Sequence, residues 1–241
     1  MPPNYRPTRI GMIVPSSNTC LEPMTYRILA DRQDVTVHST RIPVTRIALD
    51  AGSDRQFDVD GMRRAAELLA TADVDVIAWN GTSGSWLGPD HDQEITLEIT
   101  GATGIPATTS TLAYLEAFHR FGIRTIGLFT PYTSDVNEQV AARYANEGIT
   151  TIGHRALGLT DNESFARVTP ERLLPGSREL AAAGPDALVY LCTNLYGAPV
   201  AWQVESESGV NVLDSVAVTL WRCLDLAKAD RLDPRWGRLL A

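Results

Sequence analysis

Short apolar runs alternate with longer amphipathic ones along this chain. "TRIGMIVP" (residues 8–15) reads as a strand buried on both faces, and a helix is expected over residues 20–31. "VTVHSTRIP" reads as a second strand. In "DGMRRAAELLATA", Met62, Ala65, Ala66, Leu68, Leu69 and Ala72 lie on or near one face of a helix. "VDVIAWN" is the next strand, and "DQEITLEITGATG" is a helix closed by glycine. "PATTSTLAYLEAFHRFG" reads as a further helix, with Gly122 just beyond its end. This alternation predicts an α/β fold, with mostly parallel strands flanked by helices.

The pattern then starts again. "RIGMIVPSSN" aligns with "TIGLFTPYTS", pairing Gly11 with Gly127 and Pro15 with Pro131. "DVIAWNGTSGS" aligns with "DALVYLCTNLY", pairing Gly81 with Cys192 and Thr82 with Thr193. "TGIPATTSTLAYLEAF" aligns with "SGVNVLDSVAVTLWRC", pairing Ser110 with Ser215. Three echoes in one order indicate a duplicated unit. The expectation is two pseudo-symmetric Rossmann-like lobes with an active site in the cleft between them. Residues 1–118 and a returning segment, 208–241, are assigned to the first lobe, and residues 119–207 to the second. Ligands in open parallel sheets bind beyond the carboxyl ends of the strands. The turns "PSSN", "NGTSGS", "TPYTSD" and "LCTNLYG" are therefore expected to meet around one site.

Composition narrows the class of partner. The 241 residues carry a formal net charge of -8, which disfavours nucleic acid but leaves a small carboxylate open as substrate. No run is apolar enough for a membrane span and no secretory pattern opens the chain, so a cytoplasmic protein is expected. Three cysteines do not make a disulfide framework. Four scattered histidines argue against a metal site, and no G-x-G-x-x-G follows the first strand, so neither metal nor cofactor is expected.

Candidate chemistry gathers in the strand-end turns. Cys192 follows a strand and faces free N–H groups, a setting that favours a thiolate, though a buried structural cysteine fits the position as well. Cys20 and Cys223 fall inside expected helices and read as structural. "GTSGS" lacks the lysine of a P-loop and the spacing of a nucleophile elbow. Thr82 and Ser83 offer hydroxyl donors for a carboxylate, or form an ordinary loop. Asn18 and Tyr132 offer neutral donors, or respectively cap a helix and pack in the core. Asn162 stands beside Asp161, and either can cap the helix that follows.

"RIGMIVPSSNT", "GTSGS", "TPYTSDVNE", "LTDNESFARV" and "LCTNLYG", in this order over nearly the whole chain, resemble the maleate isomerase and arylmalonate decarboxylase branch of the aspartate/glutamate racemase superfamily. The resemblance implies two lobes about one active site, no metal, no organic cofactor and a homo-oligomer. Racemases and isomerases of this superfamily place a cysteine in each lobe, whereas here Gly81 stands opposite Cys192. Arylmalonate decarboxylases share that asymmetry. The resemblance therefore implies decarboxylation of a malonate-like acid, with Cys192 as proton donor in its thiol form. Thr82, Ser83, Tyr132 and the backbone near Cys192 and Thr193 would hold the retained carboxylate. Asn18 and Asn162 match positions that hold dicarboxylate oxygens in the isomerases, and Gly84 replaces a bulkier apolar residue of the decarboxylases. Two alternatives are cis–trans isomerisation of a maleate-like acid with Cys192 as nucleophile, and a carboxylate-binding protein without catalysis.

Overall fold

The computed structural model describes residues 6–47, 49, 56 and 59–241. It contains two four-stranded sheets of parallel strands, each covered by helices. The first sheet runs β2-β1-β3-β4, from β1 (Thr8–Pro15), β2 (Val35–Ile42), β3 (Val76–Trp79) and β4 (Ala107–Thr109). The second runs β6-β5-β7-β8, from β5 (Thr125–Thr130), β6 (Thr150–Ala156), β7 (Ala187–Tyr190) and β8 (Asn211–Asp214). The two orders are the same topology repeated, as the internal alignment predicts. In both sheets the central pair, β1 with β3 and β5 with β7, is almost entirely buried. That burial is why these strands read as unbroken apolar runs.

Several expected elements hold with shifted ends. The first helix spans Leu21–Leu29, the amphipathic one Val59–Ala70, and the one closed by Gly104 spans Pro89–Thr103. Two readings need correction. Ala107–Thr109 is a strand, and the helix expected to include it starts only at Ser110. Three residues carry too little periodicity to announce a strand. The second correction concerns the lobe boundary. Asn211–Asp214 pairs with β7 and so belongs to the second sheet, and only the helix that follows, from Ser215, packs on the first sheet.

The helices that end each lobe are exchanged. Ser110–Phe121 follows β4 but lays Tyr114 on the second sheet, where its hydroxyl donates to the Tyr190 carbonyl at 2.7 Å. Its Phe118 packs edge-on against Tyr144, ring centres 5.6 Å apart. Ser215–Leu226 follows β8 and packs against β3 and β4 of the first sheet. The two helices also pack on each other, with Thr219 Oγ1 donating to Ser110 Oγ at 2.8 Å. Each lobe thus completes the core of the other, which fixes their relative position and the cleft between them.

Candidate active site

The strand-end turns meet where the alignment placed them. Pro15, Val44, Ile47, Trp79 and Trp86 form an apolar wall of one cavity. Thr82, Ser83, Tyr132, Asn162, Thr193 and Cys192 form its polar side, and Gly81 lies between. Seven of the eight residues singled out from the sequence thus line one cavity. The eighth, Asn18, stands just behind it. Its Oδ1 accepts from the Cys20 and Leu21 N–H groups at 3.0 and 2.9 Å, which opens the first helix. Its Nδ2 donates to Thr193 Oγ1 at 3.1 Å, so capping and contact with the site occur together.

Cys192 is 3 % exposed. Its sulfur accepts the Asn194 N–H at 3.3 Å and faces the Tyr132 hydroxyl. These contacts favour a thiolate, but burial is the larger effect and pushes the thiol up to about 12. The positional expectation of a thiolate is therefore corrected: too few donors reach the sulfur to offset its desolvation. At neutral pH Cys192 holds its proton, which suits an acid rather than a resting nucleophile.

Tyr132 joins the two lobes chemically. Its hydroxyl shares a hydrogen bond with Thr82 Oγ1 at 2.9 Å, and burial keeps it neutral. Its ring is held edge-on by Trp86 and Phe165, each with centres 5.5 Å away. Ser83 lies against the cavity with a buried Oγ that meets no partner among the described residues, which leaves a hydroxyl donor for a ligand. Thr193 donates to the Asn80 carbonyl at 2.9 Å, across the lobes. Asp161 caps the Asn162–Phe165 turn of helix by accepting from Ser164 N, so Asn162 is released towards the cleft, where its Nδ2 donates to Ser17 Oγ at 2.8 Å.

Three residues of this architecture were not singled out from the sequence. Asn194 spans the lobes: Oδ1 accepts from Thr19 and Cys20 N–H, and Nδ2 donates to the Asn162 carbonyl. Its place in "CTNLYG" beside Thr193 was the available signal. Trp79 reads as an ordinary buried strand residue, yet its ring lies over Gly81. A Cβ on Gly81 would stand 2.3 Å from Trp79 Cε2 and Cζ2. Asp92 is fully buried behind the "GTSGS" turn, and a Cβ on Gly84 would stand 1.9 Å from its Oδ2. The Asp92 carboxyl thus fills the space that a side chain at position 84 would need. Burial pushes this carboxyl up to about 7, while Thr109, Thr111 and the Gly84 N–H act on it without reaching hydrogen-bond geometry. Among the described residues no three His, Cys, Asp or Glu gather as metal ligands, and no helix is long and apolar enough to cross a membrane.

Comparison with known proteins places this chain in a family. The profile of the family described as arylmalonate decarboxylase matches residues 10–240. An arylmalonate decarboxylase of Bordetella bronchiseptica is 31% identical over 234 residues, 95% of each chain. A maleate isomerase of Pseudomonas putida is 29% identical over 251 residues, 97% of each chain. The crystal structure of a liganded arylmalonate decarboxylase mutant, with one glycine changed to cysteine and one cysteine to serine, superimposes with a TM-score of 0.84. It shares 28% sequence identity and covers 98% of this chain and 99% of that one. With the two repeated lobes and the buried cysteine between them, the match identifies the chain as a member of the arylmalonate decarboxylase family, in the branch it shares with the maleate isomerases.

Proposed function

We propose that the chain is a cofactor-independent decarboxylase of malonate-like acids carrying an apolar substituent. The observation that carries this reading is a buried thiol facing a cavity with one polar and one apolar side. The retained carboxylate would sit among the hydroxyls of Thr82, Ser83 and Tyr132 and the backbone near Cys192 and Thr193, whose neutral donors hold two oxygens without competing for the proton. The second carboxylate would lie against the apolar wall, where loss of hydration favours its departure. The C–C bond breaks, CO2 leaves, and the electron pair enters an enediolate held by the same donors. The Cys192 S–H gives its proton to the α-carbon, and solvent later restores it.

The relative from Pseudomonas putida favours isomerisation as the second reading, with Asn162 as an added carboxylate contact and Asn18 holding Thr193 from behind the cavity. That route needs Cys192 as a nucleophile, whereas burial holds it as a thiol. Proton NMR in D2O separates the two. An arylmalonate is expected to give an arylacetate with one deuterium at the α-carbon, and maleate to remain unchanged. Fumarate from maleate, with no product from the malonate, would overturn the proposal.

A further inference from the structure

We propose that Trp79 keeps the first lobe free of an acid, by filling the volume that a side chain at position 81 would need, and so leaves protonation to Cys192 alone. Gly81 does not have the positive φ that calls for glycine, so its backbone would accept a side chain. Space forbids it: the nearest atoms to a Cβ there are Trp79 Cε2, Cζ2 and Nε1, at 2.3, 2.3 and 2.5 Å. These are not the end of a flexible chain. Trp79 is fully buried in β3, paired in register with Ile13 on one side and Thr109 on the other. Its ring has no solvent to retreat into.

The second lobe shows the alternative. Tyr190 is the counterpart of Trp79 in the internal alignment, and Cys192 the counterpart of Gly81. The Tyr190 ring turns towards Gly197, where a Cβ would stand 2.6 Å from its Cγ, and its hydroxyl bonds Ser177 Oγ at 2.6 Å. The space above Cys192 is left for a thiol. The aromatic residue at the end of each central strand thus decides whether that lobe can carry an acid. On the Gly81 side a planar intermediate would meet an indole wall, and an indole N–H is far too weak an acid to protonate carbon.

The stereochemical part of this proposal rests on the decarboxylase reading, whereas its packing part does not. The test uses four proteins: the natural chain, Gly81→Cys, Trp79→Leu and the double variant. Gly81→Cys is expected to lower Tm by about 5 °C or more beside Trp79, and by about 1 °C or less beside Leu. With a 2-aryl-2-methylmalonate, the natural chain and Trp79→Leu should give one enantiomer, and the double variant a mixture of both. Equal Tm losses in the two backgrounds would overturn the packing claim. A racemic product from Gly81→Cys alone, or a single enantiomer from an active double variant, would overturn the control of the face. If the natural chain releases no CO2, the decarboxylase reading falls and takes the stereochemical role with it, while the melting comparison still judges the packing. Should Gly81→Cys fail to fold, Gly81→Ala places the same Cβ with less bulk and answers by the same comparison.

Discussion

The two lobes share a topology and differ in what fills the end of their central strand. In the first, Trp79 covers Gly81 and the buried carboxyl of Asp92, which comes from the Pro89–Thr103 helix, packs behind the turn. In the second, Tyr190 turns away from Cys192, and the carboxyl behind the turn is that of Asp214 at the end of β8. Asp214 Oδ1 caps the Ser215–Leu226 helix by accepting from Val216 and Ala217 N–H at 2.9 and 3.1 Å. At the matching place in the first lobe Thr109 does so through Leu112 N–H alone, at 3.1 Å. The duplicated frame therefore keeps its backbone while its side chains diverge, with the Thr82 and Ser83 hydroxyls in one lobe and the Cys192 thiol in the other; on the proposed function only the second lobe carries the acid. A symmetric scaffold can support an asymmetric reaction because two or three side chains at the strand ends decide the chemistry.

The division of labour breaks most completely at Cys192. Cys192→Ala should lower kcat by about 10³-fold or more, since proton transfer by a positioned acid is worth roughly 10²–10⁴-fold. Binding of a malonate, followed by thermal shift, should remain, because the carboxylate donors lie elsewhere. Loss of binding along with turnover would mean that Cys192 helps to hold substrate. Tyr132→Phe comes next. It removes the hydroxyl shared by Thr82 and the cysteine, and should lower kcat by about 10²-fold, with KM changing less. A change confined to KM would place Tyr132 in uniform binding.

Asp92 sharpens the comparison through pH. Its folded-state value of about 7 stands above the unfolded 3.8, so the native state binds the proton more tightly. The stabilisation is fully present below 3.8 and is lost as pH rises through 7. The natural chain should therefore lose roughly 2.5 kcal/mol of stability between about pH 5 and pH 8 that Asp92→Asn does not lose. Equal pH profiles in denaturant melts would show the carboxyl to be ionised in the fold. The smallest effect belongs to the caps: Thr109→Ala should cost about 1 kcal/mol. Asp214→Ala should cost more, because two N–H groups lose their acceptor. If the two cost the same, the second carboxyl does no more than a hydroxyl.

Several of these features could be read from the chain. Buried parallel strands must be apolar throughout, so β1, β3, β5 and β7 announced themselves, and their repetition gave the two lobes. The strand ends then pointed to the candidate site, since turns beyond parallel strands expose donors that no sheet partner takes. Residue types at those turns named Cys192, Thr82, Ser83 and Tyr132, because few other side chains there carry useful chemistry. Tertiary structure decided the rest. Whether Cys192 is a thiol depends on how much solvent the surrounding segments remove, and the other lobe brings Pro15, Trp79 and Thr82 to the same cavity from more than 100 positions away. Whether Gly81 is a gap or a filled space depends on which way an indole two residues earlier turns, and Gly84 likewise on a carboxyl from the next helix. Sequence fixes which atoms are present and their local periodicity. Desolvation and steric exclusion arise only when distant segments are brought together, and here they set both the proton on sulfur and the wall it faces.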